Sequence, residues 1–143
     1  MLIREFRRSD LKGCAAIYER AWNRALPAAQ RSIPPEQLEA ETDGERIFVA
    51  EEDGQVLGFA SVWEPESFLH HLHVDPDHQR RGIGTALLQR VAQSGPLGMS
   101  LKCQLENLGA LRFYAHHGFA ESGERGKDEF GEWVRLTHGN GLL

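Results

Sequence analysis

The segment from Leu69 to Gln89 constrains the fold of this chain more than any other. It begins with a strand-like pattern, breaks at Asp75-Pro76-Asp77, and then crosses a stretch that contains Gly82 and Gly84. The apolar residues that follow recur at helical spacing. Because glycine has no Cβ, another molecule can approach the backbone, and the start of the following helix directs free N–H groups to the same place. The segment therefore predicts an anion site, with a phosphate or pyrophosphate as its natural occupant.

Two common phosphate motifs do not fit this segment. A P-loop needs Gly-Lys-Ser/Thr at a fixed spacing, which is not found here, and a dinucleotide fingerprint needs a third glycine where this chain has Leu87. The run Gln79-Arg80-Arg81-Gly82-Ile83-Gly84 resembles instead the acetyl-CoA signature of the GNAT superfamily of N-acetyltransferases. Downstream, Asn107-x-x-Ala110-x-x-Phe113-Tyr114-x-x-x-Gly118-Phe119 resembles the second CoA-side motif of that family. Two spaced motifs in the right order carry the resemblance, which covers essentially the whole chain.

The hydrophobic pattern predicts elements in the order β-α-α-β-β-β-α-β-α-β-β, which is typical of an α/β sandwich with a mixed sheet. The resemblance implies the GNAT-type sandwich, with a mostly antiparallel sheet. It also implies that the strands expected at 68–74 and 99–103 splay apart where acetyl-CoA enters. We expect a single N-acetyltransferase domain over residues 1–143, with 138–143 as a frayed tail. Gly95-Pro96 is expected to stop the central helix.

Composition restricts the partners and the location of the protein. The net charge of −5 weighs against nucleic acid or an anionic membrane as a partner. Cys14 and Cys103 are too few and too far apart for a disulfide framework, so we expect two reduced thiols. With neither a signal peptide nor a membrane-length apolar run in the sequence, the expected location is the cytoplasm.

The resemblance implies direct transfer of an acetyl group from acetyl-CoA to a primary amine of a small molecule or peptide, without a metal. The expected cofactor-binding residues are Leu72, His73, Val74, Gln79, Arg80, Arg81, Gly82, Ile83, Gly84, Thr85, Asn107 and Tyr114. Of the two arginines, Arg81 is expected to meet phosphate. A CoA-sensing or interaction module without catalysis on the same fold is the alternative, and a nucleotide-binding protein is the third hypothesis. A homodimer and the use of other acyl-CoAs are left open.

Two residues of the second motif have a structural and a functional interpretation. Tyr114 is a core aromatic on an apolar helix, and the resemblance implies that it protonates the departing CoA sulfur. Asn107 can cap the helix through its side chain, and the resemblance implies that it also binds the pantetheine arm.

The resemblance implies that His70 is the base for the acceptor amine, at the position where family members carry a Glu or His. Strand alternation places it on the face of Leu72 and Val74, and places His71 and His73 on the opposite face. A histidine can accept a proton near neutral pH, directly or through a water; the alternative is a hydrogen-bonded strand histidine without a catalytic role.

The histidines His70, His71, His73 and His78 also raise the question of a metal. A regular strand cannot direct the first three at one ion without a bulge, and neither a carboxylate nor a cysteine completes a familiar spacing. The sequence therefore predicts no metal. The acceptor is expected near aromatic and acidic side chains that suit a cationic amine, although each acid can equally be an ordinary surface residue. These are Tyr18, Trp22, Glu64, Glu66, Phe68, Asp128, Glu129 and Glu132.

Overall fold

A computed structural model describes residues 1–94 and 98–139. Seven strands form one sheet in the spatial order β1-β2-β3-β4-β5-β7-β6. The strands are β1 (Leu2–Glu5), β2 (Arg46–Glu52), β3 (Gln55–Trp63), β4 (Phe68–Val74), β5 (Ser100–Gln104), β6 (Ala120–Asp128) and β7 (Gly131–Thr137). The helices are α1 (Leu11–Ala25), α2 (Pro35–Glu41), α3 (Ile83–Ser94) and α4 (Leu108–His116). This order confirms the predicted α/β sandwich.

The helices cover both faces of the sheet. Cys14 and Tyr18 of α1 and Leu38 of α2 pack with Val49 and Phe59 in one buried cluster. On the other face, the predicted apolar stripe of α3 is confirmed, because Ile83, Leu87, Leu88 and Val91 are all buried in a second cluster. Residues of successive strands alternate between the two clusters, as the pleat of a sheet requires.

The sheet opens between β4 and β5. All other neighbouring strands are antiparallel, whereas β4 and β5 run parallel and pair only through Phe68 and Ser100 among the described residues. From that point the two strands diverge, which confirms the predicted splay. Backbone groups along the exposed edge of β4 are consequently free of a strand partner in β5.

A β-bulge interrupts β4 on its other edge. Ser61 of β3 lies opposite His71, but the next residue, Val62, lies opposite Leu69, so His70 is an extra residue in β4. A bulge leaves its extra residue unpaired and turns the side chains that follow it. Simple alternation along β4 therefore fails at His70.

The C-terminal part of the chain is more ordered than predicted. The final hairpin, expected at 119–123 and 133–137, extends through β6 and β7 almost to the turn. The prediction of a frayed tail is wrong for its first residue, His138. This residue is 7% exposed, donates its N–H to the Met99 carbonyl at 2.8 Å, and packs on Phe119. Residues 140–143 and the predicted helix stop at Gly95-Pro96 lie outside the described residues. Among those described, no helix has the length and apolar character needed to cross a membrane.

Candidate functional site

A cavity of about 460 Å³ lies where β4 and β5 separate, bounded by β4, the loop before α3, α3 and α4. All of the predicted cofactor-binding residues except Arg81 line it. The remaining lining residues were not predicted to bind the cofactor, although Ala110 and Phe113 belong to the second motif; they are Ala21, Ala25, His78, Gly109, Ala110 and Phe113. Small residues on α1 and α4 leave room for a ligand, but a small side chain gives no signal in the sequence that it faces a cavity.

The loop before α3 has the backbone shape that an anion site needs. Gly82 has a φ of +76°, in the left-handed region that glycine adopts without strain, and α3 begins at the next residue. Arg80 is also left-handed, with a φ of +64°. The free N–H groups of the first turn of α3 and the positive end of its dipole therefore face the cavity.

The two arginines of this loop have different surroundings. Arg80 lines the cavity and makes no ion pair with any residue in the described part of the chain. Arg81 donates two hydrogen bonds from Nη2 to the Glu52 carboxylate, at 2.8 and 2.7 Å, and lies outside the cavity wall. The geometry thus favours Arg80 as the phosphate ligand, against the expectation that Arg81 would fill this role.

Asp75 holds the loop in place. Its carboxylate accepts a hydrogen bond from the Asp77 N–H at 2.9 Å and pairs with Arg20 of α1. Its own N–H donates to the Leu57 carbonyl at 2.7 Å. Although burial opposes ionisation, the Asp77 N–H and Arg20 together lower the pKa of Asp75. A charged, buried carboxylate thereby ties the loop to both α1 and the sheet.

Helix α4 supplies the opposite wall of the cavity. The Asn107 side chain accepts a hydrogen bond from the Ala110 N–H at 3.2 Å, which confirms the predicted cap. Tyr114 is 8% exposed, and its ring packs edge-on against Phe113 and Phe119. Burial, with a smaller contribution from Cys103, raises the pKa of Tyr114. The phenol is therefore a proton donor rather than an anion at neutral pH.

The bulge changes the arrangement of the β4 histidines. The ring centroids of His70 and His71 are 4.1 Å apart, so the expectation that they face opposite sides of the sheet is wrong. Leu69, rather than His70, continues the row of Leu72 and Val74 toward the core beneath α3. His70 is exposed, lies outside the cavity wall, and its Nδ1 is 2.6 Å from Glu45 Oε2.

His71 and His73 extend from the cavity into a buried polar network. His73 lines the cavity, stacks on Tyr18 with ring centroids 4.6 Å apart, and its Nε2 lies 3.2 Å from His71 Nδ1. The other nitrogen of His71, Nε2, lies 3.3 Å from Glu41 Oε1. Burial lowers the pKa of His71 despite the nearby Glu41, and burial, more than the neighbouring His71, lowers the pKa of His73 well below its usual value. Both imidazoles are accordingly neutral at pH 7.

Glu41 is the centre of this network. It accepts hydrogen bonds from the Tyr18 hydroxyl at 2.8 Å, from Arg31 at 3.0 Å and from Gln37 at 2.8 Å. Burial opposes its ionisation, but His71 and the hydrogen bonds from Gln37 and Tyr18 outweigh burial and lower the pKa of Glu41. Glu41 is thus a fixed negative charge beside neutral histidines.

An aromatic group closes this side of the site. The Arg31 guanidinium lies 4.7 Å from the Trp22 ring and 4.5 Å from the Phe130 ring, and Trp22 contacts Phe130 with centroids 5.1 Å apart. These contacts join α1 to the β6–β7 turn. Asp128 shapes that turn by accepting the Phe130 N–H at 2.8 Å.

Of the predicted acceptor residues, Tyr18, Trp22 and Asp128 take part in this region, whereas Glu64 pairs with Arg46. Sequence reasoning missed the other members of this side of the site, which are Arg31, Glu41, Glu45 and Phe130. They lie on segments far apart in the chain, and no local motif marks them.

Comparison with known proteins agrees with the geometry. The Acetyltransferase (GNAT) family profile matches residues 12–119. The chain is 31% identical to the L-amino acid N-acyltransferase MnaT of Escherichia coli K12, over 96% of this chain and 91% of that protein. It is 35% identical to the peptidyl-lysine N-acetyltransferase YiaC of the same organism, over 82% of each.

A solved structure shares the fold. The protein yncA of Salmonella typhimurium, whose structure contains its cofactor acetyl-CoA, superimposes with a TM-score of 0.70 at 24% identity, over 95% of this chain and 90% of that one. With the splayed sheet, the glycine loop and the α4 motif in their expected places, the sequence and fold matches lead to one conclusion: this chain belongs to the acetyltransferase (GNAT) family.

Proposed function

We propose that the protein is an acetyl-CoA-dependent N-acetyltransferase that moves the acetyl group directly to a primary amine of a small molecule or peptide. The observation that carries the proposal is the cavity bounded by the end of β4, the loop before α3 and the start of α4, since its wall contains every predicted cofactor-binding residue except Arg81. The open edge of β4 offers unpaired backbone groups, and the N-terminus of α3 lies at one end of the cavity. This arrangement suits a long thioester that carries a pyrophosphate at one end. Family membership and the acetyl-CoA bound to a structural neighbour support the same donor.

In this proposal the chain holds the donor mainly through its backbone. The loop from Gln79 to Thr85 binds the pyrophosphate, with Arg80 supplying the cationic side chain. Leu72 to Val74 offer backbone groups to the pantetheine and to the acetyl carbonyl, and Asn107 supports the arm from α4. A fixed N–H group on the open edge of β4 would stabilise the oxyanion that forms when the amine attacks the carbonyl carbon.

Tyr114 is the proposed acid. As the C–S bond breaks, its hydroxyl donates a proton to the sulfur, so CoA leaves as the thiol. The raised pKa of Tyr114 is compatible with this role, because the same apolar wall also destabilises a departing thiolate. The transfer as proposed requires no metal.

The amine must lose a proton before or during attack, and β4 supplies two candidates for the base. His70 is the predicted base, while His73 is the β4 histidine that lines the cavity. The two assignments differ in outcome. If His70 is the base, His70→Gln slows transfer more than His73→Gln does and leaves the acetyl-CoA affinity unchanged. If His73→Gln slows transfer more, the role is assigned to His73.

The first experiment is release of the CoA thiol from acetyl-CoA against a panel of amines, with a control that lacks an acceptor. The named activities of the two relatives supply L-amino acids and lysine peptides for the panel, to which peptides with a free N-terminal amine are added. Release above the control with one class supports the proposal and identifies the acceptor. Tight binding of acetyl-CoA without turnover on any acceptor would instead favour a CoA-sensing module.

We further propose that the protein is cytoplasmic and that its partners include neither nucleic acid nor a membrane.

Tyr114→Phe tests the acid role. We expect kcat to fall by about 100-fold, the lower range for a general acid, because the phenyl ring keeps the packing but has no proton to donate. The affinity for acetyl-CoA, measured by calorimetry, should stay within about twofold. A transfer rate that equals the wild-type rate at every pH would show that another group, or water, protonates the sulfur.

A further inference from the structure

Outside the cavity, the bulge of β4 assembles a second cluster of side chains. One ligand atom each from Glu41, His70 and His71 lie within 4.8 Å of one another. They come from the end of α2 and from two consecutive strand residues, and they meet only because the bulge brings the two rings to the same side. Imidazole and carboxylate together form the donor set that suits zinc, cobalt and nickel, whereas magnesium and calcium prefer oxygen alone.

The hydrogen bonds around this cluster leave the Nε2 atoms of His70 and His71 available to bind a metal. His70 Nδ1 is engaged by Glu45 Oε2 at 2.6 Å, and His71 Nδ1 by His73 Nε2 at 3.2 Å. In both rings, therefore, Nδ1 has a partner and Nε2 is left over. Ligating histidines usually have this arrangement, since a partner on the second nitrogen fixes the tautomer and the ring orientation.

Two buried atoms in the cluster have unused bonding capacity. His71 is 5% exposed, and its Nε2 makes no hydrogen bond of acceptable geometry with any described residue, although Glu41 Oε1 is 3.3 Å away. Glu45 Oε1 is likewise buried without a hydrogen-bond partner in that part of the chain. Buried polar atoms without partners are rare in folded proteins, because each costs about 1–3 kcal/mol. A cation between Glu41, His70 and His71 would give His71 Nε2 a partner.

We propose that Glu41, His70 and His71 form a binding site for one divalent transition metal ion of the zinc type, with Glu45 orienting His70. In a tetrahedral zinc site the ligands stand about 2.1 Å from the metal, so their atoms lie about 3.4 Å apart. His71 Nε2 and Glu41 Oε1 already have this separation, at 3.3 Å. Closure of the site requires only that the exposed His70 ring move toward them.

A bound ion would link the end of α2 to the bulge of β4. It would also remove His70 from proton transfer, so the ion would block the proposed acetyl transfer only where His70, and not His73, is the base. The metal site itself does not depend on that activity and is tested by binding alone.

The test uses the full chain without a histidine tag, after removal of metal with a chelator. Cobalt is titrated while its visible d–d absorption is followed, and zinc is then added in competition. We expect one ion per chain with a Kd on the order of 1 µM or tighter. His70→Asn and His71→Asn should each weaken binding by at least about 100-fold, and Glu45→Gln by about 10-fold, as for the loss of an orienting partner.

The control is His116→Asn, which removes an exposed histidine from the end of α4 and should leave the cobalt affinity unchanged. Because His71 is buried, its variant can unfold. The cobalt affinity of the variant at the exposed His70 therefore decides the test. If no cobalt binds below about 1 mM, or if His70→Asn binds as tightly as wild type, the proposal is overturned.

Discussion

The two sides of β4 build their binding surfaces in different ways. On the side of α3 and α4, two short sequence motifs supply more than half of the residues in the cavity wall, and much of the predicted contact with the ligand is through backbone groups. On the side of α1 and α2, the surface consists of side chains from separate segments, held by ion pairs, hydrogen bonds and ring contacts around Glu41 and Arg31.

This difference fits what each side is proposed to bind. A backbone loop at a helix start presents N–H groups whatever the neighbouring side chains are, which suits a fixed ligand such as a pyrophosphate. A network of buried charged and aromatic side chains depends on each member, and it sets the shape and charge of the adjoining surface. We therefore expect substitutions on the first side to reduce donor binding, and substitutions on the second to affect stability and acceptor choice.

Among the variants that test this difference between the two sides of β4, Gly82→Val should have the largest effect. A β-branched residue at a φ of +76° is strained by at least about 1–2 kcal/mol, and relief of that strain moves the first N–H groups of α3. We expect the Kd for acetyl-CoA, measured by calorimetry, to rise by about 100-fold or more.

Gly54→Val is the matched control for this variant. Gly54 lies in the β2–β3 turn, away from the cavity, with a φ of +78° and open space around it. It should lose similar stability and keep its affinity for acetyl-CoA. Equal affinities in the two variants would contradict a backbone-built donor site.

Arg31→Met examines the second side. The change removes the pair with Glu41 at 3.0 Å and the hydrogen bond to the Tyr18 hydroxyl at 2.6 Å, while Met retains part of the packing on Trp22. We expect the free energy of unfolding, measured in denaturant with a chelator present, to fall by about 2 kcal/mol, as for hydrogen bonds to a charged group. Affinity for acetyl-CoA should change by less than about twofold.

Arg125→Met provides the comparison for an exposed ion pair. Arg125 and Glu121 form a pair at 2.8 Å, but their side chains are 58% and 54% exposed. Loss of such a pair costs about 0.5 kcal/mol or less. A similar cost for both variants would mean that the buried network contributes no special stability.

The smallest expected effect is the difference in acetyl-CoA affinity between variants of the two arginines in the glycine loop. Arg80→Ala should weaken acetyl-CoA binding by about 10-fold at low salt, and the difference should shrink as salt screens the phosphate contact. Arg81→Ala should have little effect on binding, because Arg81 is already paired with Glu52. A larger loss of affinity for Arg81→Ala would show that this pair opens when the donor binds and would restore the original expectation.

Sequence patterns predicted the fold and the donor side well because their signals are local. Periodicity located all of the helices and strands, and the two motifs nominated residues that meet in one cavity. Prediction was wrong for the faces of His70 and His71, because nothing in the segment Leu69–Val74 reveals that β4 carries a bulge. It also missed Glu41, Arg31 and Phe130, which are ordinary residues in the sequence and gain their role only from packing.

The sequence by itself determined the order of elements, the glycine loop and helix start at which the anion site is proposed, and the cap at Asn107, since each depends on residues a few positions apart. Only the tertiary structure decided which arginine lines the cavity, which histidines lie together, and that a carboxylate from α2 reaches them. The physical reason is that strand register and the positions of separate segments are set by long-range pairing and packing. A shift of one residue in register changes which face a side chain occupies.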